Sequence, residues 1–278
     1  MSSESPTPTY LLANGEWKPE GSPLLPVDDR AVSVGAGLFE TLAAYRGKPF
    51  AFDRHMARLE AGLSALGIPL RIPDEWGTAL PELLKRNQLL EAEQARLRIT
   101  VTAGTPETGP RWFIEASEAP THPVPARLIT GPFVRNERSL LAGYKTINYG
   151  DNEIAMRLAH EAGATEALFG NTRDQICEGT WSNIFISCGG KWLTPPLSSG
   201  CLPGVTRSIV LQLAEEEGQA IEETDLPLSS IPAIEAAFLT SSIREIQPVE
   251  SIDAHTLLSP ENPQLAAWQR AFRDYVNS

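Results

Sequence analysis

Lysine is scarce in this chain: 278 residues hold five, and Lys+Arg total 23 against 35 Asp+Glu, for a net charge of -12. So acidic a balance argues against binding nucleic acid or an anionic membrane surface, both of which need clustered cations. No apolar run approaches the roughly 20 residues that cross a bilayer. Cysteine is scarcer still: Cys177, Cys188 and Cys201 are odd in number and lack CxxC spacing, and the four histidines are scattered. That pattern suits neither a zinc site nor a disulfide framework, and it points to a reducing, cytoplasmic setting. The start, "MSSESPTPTY", has neither the basic end nor the apolar core of a signal peptide and is expected to be a frayed tail. GxGxxG, GxxxxGK and GxSxG are all missing, and Gly35-Ala36-Gly37 lacks the third glycine of a nucleotide loop.

What is present reads as strands and helices in alternation. "YLLANGEWK" predicts a strand, a turn at Asn14-Gly15 and a return strand. In "DRHMARLEAGLSAL", Met56, Leu59, Leu63 and Leu66 recur at helical spacing, with Asp53 placed to cap and Gly67 to stop. "ARLRITVTAG" sets Leu97, Ile99 and Val101 against Arg96, Arg98 and Thr100, a strand period, and "RWFIEAS" is its expected partner. "EAPTHPVPAR" is proline-rich and reads as a linker. Beyond it, "DNEIAMRLAHEAG" predicts a capped helix, "TEALFG", "WSNIFIS" and "AAFLTSS" strands, and "VTRSIVLQLAEEEG" and "NPQLAAWQRAFRDYV" helices. The expectation is a mixed α+β fold in two domains. A smaller one spans residues 1–118, a linker 119–127, and a larger one 128–278 that carries Lys145.

Lys145 is the lysine in unusual company, flanked by two tyrosines in "GYKTINY" with no other charge until Asp151. A lysine withdrawn from water loses its charge more readily and becomes a nucleophile toward aldehydes, as in pyridoxal-phosphate chemistry. An ordinary surface lysine is the plain alternative. Glu178 in "ICEGTWSNIF" offers an acid for a pyridine nitrogen, or is simply a turn residue. Pro203-Gly204 before Val205 and Thr206 brings backbone N–H groups and a hydroxyl to a helix start, which suits an anion; Thr206 capping its own helix is the alternative. Ser241 and Ser242, leaving a strand in "LTSSIREI", and Arg58 on its helix are further anion candidates, although Arg58 also suits a solvated face.

Taken together and in order, "DDRAVSVGAGLFETLAAYRGKPF", "HMARL", "LAGYKTINY", "EGTWSNIF", "LPGVTR" and "LTSSIREIQPV" resemble the class IV aminotransferase family of fold-type IV pyridoxal-phosphate enzymes nearly end to end. The resemblance implies a homodimer with pyridoxal 5'-phosphate held between two domains and a small-molecule amino substrate. It implies that Lys145 forms the Schiff base and shuttles protons, that Glu178 pairs with the ring nitrogen, and that Tyr149 lies against the ring. It further implies that Arg58, Thr206 and the amide of Val205 hold the phosphate, closed over by Ser242 and the backbone of Ile243.

Within that family the matching loop "VTAGTPETGPRW" has Ala103 where the D-amino-acid enzymes have an arginine, and no Arg-x-His follows. The branched-chain enzymes usually read "FEG" where this chain has Phe39-Glu40-Thr41. Phe39 and Arg98 fall near the family's substrate site, though Arg98 on an alternating strand also suits solvent. "GLFETL" with "LAGYK" is most similar to the 4-amino-4-deoxychorismate lyase branch, in which the Thr41 hydroxyl would assist the leaving group unless it merely packs. Transamination of D-amino acids, branched-chain L-amino acids or R-amines is the alternative, and a catalytically silent relative stays in view.

Overall fold

The computed structural model describes residues 9–278; of the stretch "MSSESPTPTY" expected to fray, residues 1–8 lie outside the described residues, while Tyr10 already begins a strand. The chain divides into two compact units, one running to Pro120 and taking in Lys145–Ile147, the other comprising Thr121–Tyr144 and Asn148–Ser278.

The first unit contains β1 (Tyr10–Ala13), β2 (Glu16–Pro19), α1 (Arg30–Val34), β3 (Gly37–Tyr45), β4 (Lys48–Pro49), α2 (Phe52–Leu66), α3 (Trp76–Arg86), β5 (Ala95–Thr105) and β6 (Gly109–Glu118). Its sheet runs β2-β1-β6-β5-β3-β4, antiparallel throughout. The period of two predicted for β5 is realised: Leu97, Ile99 and Val101 are fully buried, opposite Leu42, Glu40 and Leu38 of β3. That face packs on the apolar stripe of α2, where Met56, Leu59 and Leu63 are buried, and on Trp76, Leu80, Leu83 and Leu84 of α3. Gly62 lets α2 approach β3, since a Cβ there would come within 3.0 Å of the Leu38 side chain.

Two expectations are corrected. Asp53 does not cap α2: Ala51, at φ 51°, occupies the cap without a side-chain bond, and Asp53 sits in the first turn, where its charge still faces the helix dipole. Lys145 does not group with the second unit either. Phe39 N donates to Lys145 O (2.9 Å), Ile147 N donates to Gly37 O (3.1 Å), and Leu38 bridges Thr146, so residues 145–147 extend the first unit alongside β3. Backbone pairing at so large a sequence separation leaves no local pattern to read.

The second unit contains β7 (Ala126–Ile129), β8 (Val134–Arg135), α4 (Gly150–Glu161), β9 (Glu166–Asn171), β10 (Ile176–Gly179), β11 (Asn183–Cys188), β12 (Lys191–Thr194), α5 (Val205–Glu216), β13 (Glu222–Glu223), β14 (Ala236–Ser241), β15 (Glu245–Ile252), β16 (His255–Thr256) and α6 (Pro263–Asn277). Its sheet runs β10-β9-β7-β15-β14-β11-β12-β13, with β8 beside β9 and β16 beside β15. Ala126 and Arg127, assigned to the linker on sequence, already belong to β7, which pairs in parallel with β15 and β9. The helix α4 begins without a side-chain cap, Asp151 and Glu153 lying in its first turn. An apolar core of β-strand residues, among them Ile176, Ile184, Leu239 and Val249, fills one side of the sheet. Phe185 stacks on Phe238 at 4.7 Å, and Trp192 and Trp268 of α6 close over that pair. Among the described residues no helix is long and apolar enough to cross a membrane.

Two glycines give opposite expectations. A Cβ at Gly104 (φ +65°) would fall 1.6 Å from Gly109 O, whereas one at Gly77, in α3, would meet nothing within 4 Å. Gly104→Ala should lower the unfolding free energy by about 2 kcal/mol or more, and Gly77→Ala should raise it by roughly 0.5–1 kcal/mol. Urea midpoints of the two variants moving in the same direction would contradict this.

Candidate active site

In the first unit the strand β3 serves two faces at once. Leu38, Glu40 and Leu42 point to the helices, while Phe39 and Thr41 share the other face with Arg98 and Thr100, their partners in register on β5. Glu40 is 1% exposed. Burial works to raise its pKa, but the charge and hydrogen bonds of Arg58, aided by His55, outweigh burial and hold the carboxyl at about 2. Arg58 donates in a fork, Nε to Oε1 at 2.8 Å and Nη2 to Oε2 at 2.7 Å. His55 Nδ1 lies 2.7 Å from Oε2. An ionised carboxylate only accepts, so Nδ1 carries the proton; burial, opposed by Glu40, lowers the pKa of His55 and keeps it neutral. The residue expected to hold an anion is thus itself held rigidly by a buried acid.

On the other face, Lys145 Nζ lies 4.4 Å from the centre of the Phe39 ring, and the Arg98 guanidinium carbon lies 4.0 Å from the same centre. Arg98 therefore lies on an aromatic ring and is not the solvated side chain that strand alternation also allows. Thr41 sits directly opposite Arg98 in the β3–β5 ladder. Two of the residues named from sequence, Lys145 and Arg98, thus lie on the ring of a third, Phe39, and Thr41 shares their strand face. Asp29, not anticipated, is fully buried and accepts from Ala31 N at 2.8 Å and Thr102 Oγ1 at 2.9 Å, tying the start of α1 to β5.

In the second unit Glu178 is 9% exposed. Its Oε2 accepts the Leu202 N–H at 2.8 Å, and its Oε1 lies 3.2 Å from Arg135 Nε. Arg135 is oriented in turn by the Phe169 ring at 4.6 Å and by Asn152 Oδ1, 3.4 Å from each terminal nitrogen. Leu202 is tied at both ends, because its carbonyl accepts from Asn183 Nδ2 at 2.8 Å. Two residues on, Gly204 occupies the cap position of α5. A Cβ there would lie 2.0 Å from Asn183 Oδ1, so the lack of a side chain is what admits the asparagine. The capping alternative for Thr206 is not adopted: it is buried inside the helix, and no side chain caps α5. The first N–H groups of a helix, here from Val205 onward, have no partner within it and form a positive terminus.

Ser242 and Ile243 form the turn between β14 and β15, where Arg244 N donates to Ser241 Oγ at 3.2 Å. Tyr149, just before α4, packs its ring 5.0 Å from that of Trp181. Trp181 N in turn donates to the buried Glu166 Oε1 at 2.6 Å.

Sequence reasoning missed Glu40, His55, Arg135, Asn183 and Glu166 as structural partners. A signal existed for Glu40, an acid on the apolar face of an alternating strand. None existed for Arg135 and Glu178, 43 residues apart.

Residues 37–252 match the family model described as "Amino-transferase class IV". The chain is 30% identical over 261 residues to a D-alanine aminotransferase of Bacillus licheniformis, covering 89% of each chain. It is 26% identical over 280 residues to an aminodeoxychorismate lyase of Bacillus subtilis, covering 96% of this chain and 95% of that one. The fold is similar to that of a branched-chain aminotransferase from the archaeon Thermoproteus uzoniensis, with a TM-score of 0.89 at 24% identity over 97% of this chain and 95% of the other.

The Glu40 cluster gives a pH expectation with a definite sign. Its folded pKa of about 2 lies below the reference of 4.5, so its contribution is complete above pH 4.5 and is lost as pH falls toward 2. The loss should amount to something on the order of 3 kcal/mol of unfolding free energy. Glu40→Gln should flatten that part of the stability–pH curve and be less stable at pH 7. An unchanged curve from denaturant titrations between pH 2 and 7 would remove the cluster as an anchor.

Proposed function

Because the chain belongs to the class IV amino-transferase family and is a pyridoxal-phosphate-dependent enzyme, we propose that it is a 4-amino-4-deoxychorismate lyase, releasing p-aminobenzoate and pyruvate. The observation that carries the reading is the cluster on one face of β3 and β5: an amine and a guanidinium on the Phe39 ring, with Thr41 the register partner of Arg98 on the same face. Such a cluster suits a substrate that must lose a proton, keep a carboxylate in place and have its leaving group protonated.

In this reading the donors that each unit supplies suit the cofactor by their chemical type. Lys145 is the amine for its aldehyde, and Glu178, its plane fixed by Arg135 and the Leu202 amide, is the acid for its ring nitrogen. The start of α5, with Val205 and Thr206, would hold the phosphate together with Arg58, Ser242 and the Ile243 backbone, and Tyr149, whose ring packs on that of Trp181, would lie against the cofactor ring. When bound, pyridoxal phosphate supplies an electron sink. In this reading Lys145 Nζ takes the proton from the amine-bearing carbon of the substrate. Arg98 holds a substrate carboxylate, and Thr41 relays to the departing enolpyruvyl group the proton that Lys145 has taken up, leaving both side chains as they began. Aromatisation of the remaining ring drives the release.

Transamination is the second reading, favoured by the 30% identity to a D-alanine aminotransferase. Lys145, Glu178 and the phosphate-holding groups would serve it unchanged, and only the fate of the proton and of the substrate bond would differ. Either way the reading includes a small amino substrate, and it extends to a homodimer acting in the cytoplasm, on the route to folate if the lyase is correct.

The test is p-aminobenzoate release from freshly made 4-amino-4-deoxychorismate. Lys145→Ala should abolish release, by at least about 1,000-fold, while leaving the circular dichroism unchanged. Thr41→Val should slow release with little change in cofactor affinity. Wild-type protein that gives no p-aminobenzoate but transfers amino groups from D-alanine or branched-chain amino acids would establish the transaminase instead. Full activity in Lys145→Ala would overturn both readings.

A further inference from the structure

The second unit buries an ion pair that none of the chemistry above uses. Glu166, the first residue of β9, has no exposed surface, and its Oε2 is paired with Nη1 of Arg244, whose side chain is 5% exposed. Removing both charges from water is expensive, and such a pair adds little net stability over apolar residues of the same size. Its geometry is more informative than its energy. The other oxygen of Glu166 accepts the Trp181 N–H at 2.6 Å and the Ser182 hydroxyl at 2.8 Å. A Cβ at Gly179 would lie 2.5 Å from that same oxygen, so the carboxylate fills the space this glycine leaves. Arg244 Nη1 also donates to Gln247 Oε1 at 3.0 Å, and Gln247 reaches back to Pro123 O.

Two connections at one end of the large sheet are joined in this way. Asn183, directly after the Trp181-Ser182 turn, pairs with Thr240 in the β11–β14 ladder, and Ser241 pairs with Glu245 across the turn that holds Ser242 and Ile243. The backbone ladders set the distance between these strands, but they leave the tips free to twist. The tip residue Glu245 takes φ 57°, a left-handed conformation that a non-glycine residue holds only when its surroundings impose it. The Glu166–Arg244 contact anchors the residue next to it.

We propose that the Glu166–Arg244 pair is a positioning device. It fixes the Ser242–Ile243 turn against the Trp181-Ser182 turn so that the former is set to receive a phosphate dianion, and it thereby makes the chain selective for the phosphorylated form of its cofactor. The inference rests on the assignment of Ser242 and Ile243 to the phosphate. Neither Glu166 nor Arg244 touches the cofactor in this reading; both act through backbone they hold.

The test is a comparison of two ligands on the full-length chain freed of cofactor: pyridoxal phosphate and pyridoxal, titrated by absorbance and tryptophan quenching. Arg244→Met should lower the wild-type preference for the phosphorylated ligand roughly tenfold, the loss of one charge-assisted contact's worth of alignment. Its affinity for pyridoxal should change less than about twofold on the same scale. Glu166→Gln keeps an acceptor for Trp181 and Ser182 while removing the charge, so it should fold and show a smaller loss of the same preference. Arg244→Lys should restore part of what Arg244→Met loses. A merely structural role would weaken both ligands alike and leave the ratio intact, and an unchanged ratio in Glu166→Gln and Arg244→Met overturns the proposal. If wild-type protein itself fails to prefer pyridoxal phosphate, the phosphate assignment falls and the positioning role falls with it. A wild-type preference that the variants retain defeats the positioning role alone.

Discussion

Burying the Glu40 carboxylate obliges the first unit to surround it with donors, and that obligation sets β3, α2 and the Arg58 guanidinium in one arrangement. The strand cannot slip by one residue without turning an ionised group onto the face that carries Phe39, and α2 cannot rotate without withdrawing His55 and Arg58. Because the register of β3 is fixed in this way, so is the position of the segment that pairs beside it, and with it Lys145. One charge on the apolar side of a strand thus determines what the opposite side presents.

The second unit follows the same logic with different parts. Glu166 and Glu178 are both withdrawn from water, and each is surrounded by an arginine and backbone N–H groups drawn from distant segments. An isolated buried charge of this kind is strongly disfavoured, so the partners must arrive together for the fold to close. These ionic contacts link loops that the sheet alone leaves adjustable.

Much of this was legible in the sequence where the pattern is local. The alternation of Leu97, Ile99 and Val101 identifies β5, the spacing of Met56, Leu59 and Leu63 identifies the buried stripe of α2, and the scarcity of lysine draws attention to Lys145. What stayed hidden has two physical sources. Left-handed residues such as Ala51 move a helix start away from the acid that would otherwise cap it, and alanine gives no warning of that conformation. Contacts between distant residues, Arg135 with Glu178 or Glu166 with Arg244, depend on strand order, which composition does not encode. Lys145 combines both lessons. Its chemistry was visible from its neighbours, while its place beside β3 was set by backbone pairing with residues more than a hundred positions earlier.

Leu202 makes a final point about length. Its N–H is committed to Glu178 and its carbonyl to Asn183, and only one residue separates it from the glycine at the cap of α5. With both ends of that residue secured, the spacing from the acid to the helix terminus behaves as a fixed gauge. Any molecule that engages the carboxylate with one end and the helix amides with the other must match that span, so ligands differing only in the reach of an anionic arm would be sorted by size before any side chain distinguished their chemistry.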